Sequence, residues 1–151
     1  MSDAGQSLRI RRAARILLID SQDRVLLFRF TPDDRPPLWA TPGGECDPDE
    51  DFAQAAAREL LEETGIVADP GDAIAIRTSQ FKTFQGEEVI ADERYFIVKT
   101  AEVAIDTQRH TATEREVMLE HRWFARSEIE TWHEVIYPET LTEMLDAGAS
   151  S

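Results

Sequence analysis

Three glutamates, Glu59, Glu62 and Glu63, stand at i, i+3 and i+4 in the most helix-like stretch of the chain. At about 100° per residue all three project toward one helix face. Like charges at this spacing destabilise an isolated helix by roughly a few tenths of a kcal/mol per pair, so a fold keeps them cheaply only where cations neutralise them. Ala56, one turn back on the same face, is small enough to leave room for ions. Clustered carboxylates with open space suit Mg²⁺ or Mn²⁺, which take few protein ligands and keep positions for phosphate oxygens. A solvated acidic face fits the helix alone equally well. Just upstream, Pro42-Gly43-Gly44 allows a tight turn and close backbone approach to a ligand.

The whole chain narrows the substrate. Thirty Asp and Glu against sixteen Lys and Arg give a formal charge of −14, which repels a nucleic-acid backbone and argues against a duplex binder. A small phosphorylated substrate is also anionic, so metal ions or a few placed arginines must bridge it to the protein. One cysteine, Cys46, and three scattered histidines offer no zinc ligand set. No GxxxxGK[ST] occurs. The alternating Asp47, Asp49 and Asp51 fail as an EF-hand loop, because Phe52 stands where glycine and Arg58 where glutamate is needed. No segment reads as a membrane span, and the expected location is cytoplasmic.

The segment from Gly44 reads Gly44, five residues, Glu50, seven residues, Arg58-Glu59-Leu60, one residue, Glu62-Glu63, one residue, Gly65-Ile66. It resembles the signature box of the Nudix hydrolases at every fixed position. Chance would produce this match in a chain of such length with a probability on the order of 10⁻⁷. Outside the box, Leu38 to Gly44, Arg94 to Val98 and Arg122-Trp123-Phe124 with Glu128-Ile129 are similar to family segments. The chain departs from common family usage at Asp49, where glycine is frequent, and at Asp51, where serine is.

The resemblance implies an α/β fold, a three-layer α/β/α sandwich with a mixed sheet, as one domain over 9–146 between flexible tails at 1–8 and 147–151. It implies metal-dependent hydrolysis of a pyrophosphate bond in a nucleoside diphosphate linked to another group. Glu59 and Glu63 are then metal ligands, joined by Glu62 and the Gly44 carbonyl. Glu62 is the candidate base. Arg58, placed away from the glutamates by helical geometry, fixes the loop by pairing with Glu50 or a box glutamate. The family often adds a carboxylate from a segment before a late tryptophan, here Thr113 to Trp123. Glu116 is the expected one for that role, with Glu114 idle and Glu120 better placed toward the substrate base. The partner is a small-molecule nucleotide derivative, with no membrane. A homodimer is frequent in the family, without support in these residues. The alternative is a catalytically silent fold that senses a nucleotide. Substrate markers for ADP-ribose, at Gln80, and for dinucleoside polyphosphates, near Phe81 to Thr83, are absent. Phe81, Phe84, Trp39 and Tyr95 are candidate base-stacking rings, although strand aromatics more often pack in a core.

These residues need scaffolding elements. Strands are expected over 13–20 and 24–30, with a hairpin at Ser21-Gln22-Asp23, and over 74–84 and 89–100, turning at Gln85-Gly86. The box helix spans 48–64 and stops at Gly65, a natural left-handed cap. Its start is ambiguous, because Asp47 to Glu50 and Asp51 to Gln54 each read as a capping box. A short strand at 121–124 and helices at 127–133 and 138–145, the latter with Pro138 in its first turn, complete the reading. The polar stretch 107–120 resists assignment.

Overall fold

The computed structural model describes residues 8–33, 35–83 and 86–149, with backbone alone for Thr113, Glu116, Val117, Leu119 and Ala149. Strand β1, Arg9–Ile19, shows how the layers arise. Its side chains alternate between two faces. Ala14, Ile16 and Leu18 meet Ala55, Ala56 and Leu60 of helix α1, Phe52–Thr64. Leu17 and Ile19 meet Leu141, Met144 and Leu145 of helix α4, Leu141–Ala149. Strand β2, Val25–Phe30, divides likewise, Leu26 and Phe28 toward α1 and Val25 and Leu27 toward α4. Two apolar cores on opposite sides of one sheet make the three-layer α/β sandwich.

The remaining elements are β3 (Leu38–Ala40), β4 (Gly43–Glu45), β5 (Ala75–Lys82), β6 (Glu88–Lys99), α2 (Ala112–Val117), β7 (Met118–Phe124), α3 (Arg126–Thr131) and β8 (Val135–Tyr137). The sheet runs β5-β6-β1-β2-β3-β8, with β4 paired to β1 and β7 to β2. It is mixed: β1 pairs in parallel with β6 from Arg9↔Val89 to Ile19↔Lys99, while β5 and β6 form an antiparallel hairpin. Gln85 of the expected turn and Phe84 lie outside the described residues.

Both capping signals before α1 are used, for different purposes. Asp51 caps the helix by accepting from the Gln54 N–H at 2.7 Å, while the Gln54 side chain accepts from the Asp51 N–H. The upstream pair closes a separate turn, in which the Glu50 carboxylate accepts from the Asp47 N–H. The helix therefore begins four residues later than the earliest expected start. Aspartate and serine are both strong N-caps, so the departure at Asp51 preserves the geometry. Other boundaries also differ from expectation. Pro138 precedes α4 in a turn whose carbonyl accepts from the Leu141 N–H, so it is not in the helix. Helix α4 continues to Ala149, beyond the expected helix end at 145. The unassigned 107–120 stretch contains α2, capped by Thr111.

Candidate active site

The turn before α1 lies hard against β1. A Cβ on Gly43, whose φ is +141°, would stand 2.1 Å from the Ala14 carbonyl oxygen. A Cβ on Gly44 would stand 2.8 Å from the Glu59 carboxyl. Glycine at both positions brings the loop backbone onto the helix face, and the Gly43 N–H donates to Glu63 Oε2 at 3.1 Å.

Glu59 and Glu63 are buried, and each offers a carboxylate oxygen that lies, with one from Glu114 on α2, within 4.8 Å of the others. Burial, then the neighbouring Glu59 carboxyl and the charge of Glu114, push the Glu63 carboxyl well above the ordinary carboxylate range, against the Gly43 N–H. Three carboxylates this close, two of them buried, carry more negative charge than the one guanidinium at their edge, Arg58, can balance. Its donors are all hard oxygens, which fit a divalent cation such as Mg²⁺ or Mn²⁺.

The other expected residues fall around this cluster. Glu62 is partly exposed and outside the three-carboxylate group; burial and the charge of Glu59 raise its pKa. Arg58 does not face away. It stands one turn from Glu62, and its Nη1 reaches Glu59 at 2.8 Å and Glu62 at 3.1 Å, because i and i+4 share a face. Its Nε and Nη2 grip Glu50 at 2.7 and 2.8 Å, and Nη2 also reaches the Glu45 carbonyl. The guanidinium thus ties loop to helix, as the pairing with Glu50 implied. Ala56 is buried in the core under the sheet and opens no space for ions. Glu116 lies on α2 by its backbone, with its side chain outside the described residues. Glu120 is exposed on β7, 3.4 Å from Arg29. Trp39 and Tyr95 are core residues, and Cys46 is buried with its thiol pKa raised by that burial.

Two features escaped the sequence reading. Glu114 enters the cluster in place of the expected idle role, on a helix whose start, Thr111-Ala112-Thr113-Glu114, has a capping-box pattern. On the sheet face opposite α1, Arg15, Glu93 and Arg77 form a chain of charges, with Arg15 Nε 3.1 Å and Arg77 Nη1 3.5 Å from Glu93. Alternation in β1 also puts Arg11 on this side, 3.4 Å from Glu45. Arg15 pairs in register with Gly43 and feels the charge of Glu63, so this end of the chain adjoins the carboxylates. Alternate arginines at 9, 11 and 15 were the available signal.

A family model described as NUDIX domain matches residues 9–144. The RNA pyrophosphohydrolase of Novosphingobium aromaticivorans is 39% identical over 69 residues, 46% of this chain and 43% of that protein. The match therefore spans less than half the length of that relative. Among solved structures, a MutT protein from Methanosarcina mazei superposes with a TM-score of 0.64 at 23% identity, covering 95% of this chain and 96% of that one. The NUDIX domain of Shewanella oneidensis NrtR, solved with ADP ribose, gives 0.66 at 17% identity, covering 99% and 92%. At these identities the two structures speak for the fold.

Proposed function

The chain belongs to the NUDIX domain family, and from that membership we propose that it hydrolyses a pyrophosphate bond in a nucleoside diphosphate linked to another group. The observation that carries this reading is the convergence of Glu59, Glu63 and Glu114 within 4.8 Å, two of them buried. These three would hold Mg²⁺ or Mn²⁺, with the Gly44 backbone alongside. When bound, the ion supplies charge neutralisation and Lewis acidity toward phosphoryl oxygens.

The chain's own residues do the rest. Glu62, partly exposed and with its pKa raised, is suited to take the proton of an attacking water, because a base works best when its pKa approaches the operating pH. Arg58 holds Glu62 and Glu59 in place while anchoring the loop through Glu50. Among the described residues no helix is long and apolar enough to cross a membrane, and we place the enzyme in the cytoplasm.

The test is release of phosphate or nucleoside monophosphate from a panel of nucleotide derivatives, with and without Mg²⁺. Turnover that needs the ion supports the reading. Tight nucleotide binding with no turnover on any member would replace it with the sensor.

A further inference from the structure

Helix α1 ends with carbonyls that have no partner inside the helix. One is met locally, where the Gly65 N–H donates to Leu61 at 2.9 Å. Two more are met by a distant segment. The Asp106 N–H donates to the Thr64 carbonyl at 3.0 Å, and His110 Nε2 lies 3.0 Å from the carbonyl of Glu63. A carbonyl oxygen only accepts, so Nε2 carries the hydrogen and donates. His110 is buried, and its ring meets Phe28 edge-on at 5.7 Å. Gly65 permits the close approach: its φ is +78°, and a Cβ there would sit 2.8 Å from Asp106 Cβ.

The next residue, Thr111, starts α2. Its hydroxyl accepts from the Glu114 N–H at 3.1 Å, and its own N–H donates to Glu114 Oε1 at 2.8 Å. Arg115 Nε donates back to the His110 carbonyl. Glu114 is thus built rigidly onto His110, and His110 is pinned to the backbone of Glu63. The two residues of that pin are 47 positions apart in the chain.

We propose that His110 is a positioning residue, whose Nε2–H bond to the Glu63 carbonyl sets the distance between Glu114 and the two α1 glutamates and so tunes affinity for the divalent ion. The inference rests on the reading that these carboxylates hold such an ion. It concerns the donor at Nε2, not the charge of the ring. Glutamine can place an amide nitrogen where Nε2 lies; asparagine is too short, and phenylalanine keeps the ring without the donor.

The experiment is Mn²⁺ titration of the full chain, followed by the electron paramagnetic resonance signal of free Mn²⁺, for wild type, His110→Phe, His110→Gln, His110→Asn, Glu114→Gln and the double variant His110→Phe/Glu114→Gln. His110→Phe should weaken Mn²⁺ by about tenfold, the lower end for losing a group that orients a ligand. His110→Gln should stay within about twofold of wild type and His110→Asn should resemble His110→Phe, by the same donor argument. In the Glu114→Gln background the phenylalanine should add less than about twofold, because the residue it positions is gone. Equal loss in both backgrounds, or wild-type affinity in His110→Phe, overturns the proposal while leaving the cluster intact. Wild-type affinity in Glu114→Gln takes down the underlying reading and the proposal with it. If His110→Phe does not fold, the Gln and Asn variants decide, and equal affinities in that pair overturn the proposal.

Discussion

Glu134 and Glu63 are carboxylates held against opposite cores of one sheet, and their surroundings are reversed. Glu134 accepts from Arg29 Nε and Nη2 at 3.1 and 2.8 Å and from Trp39 Nε1 at 2.8 Å. The Arg29 guanidinium, followed by the Trp39 indole, holds its pKa down at about 2. Trp39 in turn stands edge-on to Phe124 and Trp132, so the ion pair fastens an aromatic cluster. Glu63 faces two other carboxylates, with one backbone N–H donating to it and its pKa pushed up. A carboxylate that builds structure has its opposite charge supplied by the chain. One whose opposite charge must come from outside is marked for a ligand.

The sharpest way to break this contrast is to neutralise each carboxylate in turn. Glu63→Gln and Glu59→Gln should each lower kcat by about a hundredfold or more, the scale of losing several kcal/mol of charge stabilisation. Both should stay folded by circular dichroism. Wild-type turnover in either on a good substrate would remove that residue from the site.

Metal dependence separates the two regions next. Mg²⁺ at about 100 times its Kd adds ~2.7 kcal/mol to stability, which raises Tm by roughly 5–10 °C for a domain of this size. Glu134→Gln should keep that increment and Glu63→Gln should lose most of it, as read by thermal melts with and without the ion. A Tm insensitive to millimolar Mg²⁺ in wild type would count against the cluster as a metal site.

The third carboxylate comes next in size. Glu114→Gln should lower kcat by about tenfold, and Glu116→Gln by less. The reverse order in steady-state kinetics would return the role to Glu116.

The smallest effect belongs to the structural pair. Glu134→Gln should cost about 1–2 kcal/mol in denaturant melts, the scale of a hydrogen bond to a charged group, with kcat unchanged. Its pH dependence has a definite sign. The folded pKa of about 2 lies below the ordinary 4.5, so the contribution is whole above 4.5 and disappears as pH falls toward 2. Wild type and Glu134→Gln should therefore converge in acid, and a gap of constant size from pH 6 to 2 would refute the assignment.

What the sequence determined by itself was local and periodic. The box fixed Glu59, Glu62 and Glu63 on one helix, and Gly65 fixed its end. These follow because helix spacing and positive-φ caps depend on neighbours within a turn or two. The tertiary structure decided which of two capping boxes begins α1, since both satisfy the same local rule and only packing on β1 separates them. It also brought Glu114 of the 112–120 segment into the cluster. A six-residue helix is too short to show a period, and its placement depends on a bond between His110 and Glu63 that chain separation hides. The sequence identified Arg58 as a clamp, but its full set of partners, and the ionic chain from Arg15 through Glu93 to Arg77, required β1, β5 and β6 side by side. Long side chains choose partners by what the fold brings within a few ångströms, a distance that sequence spacing does not encode.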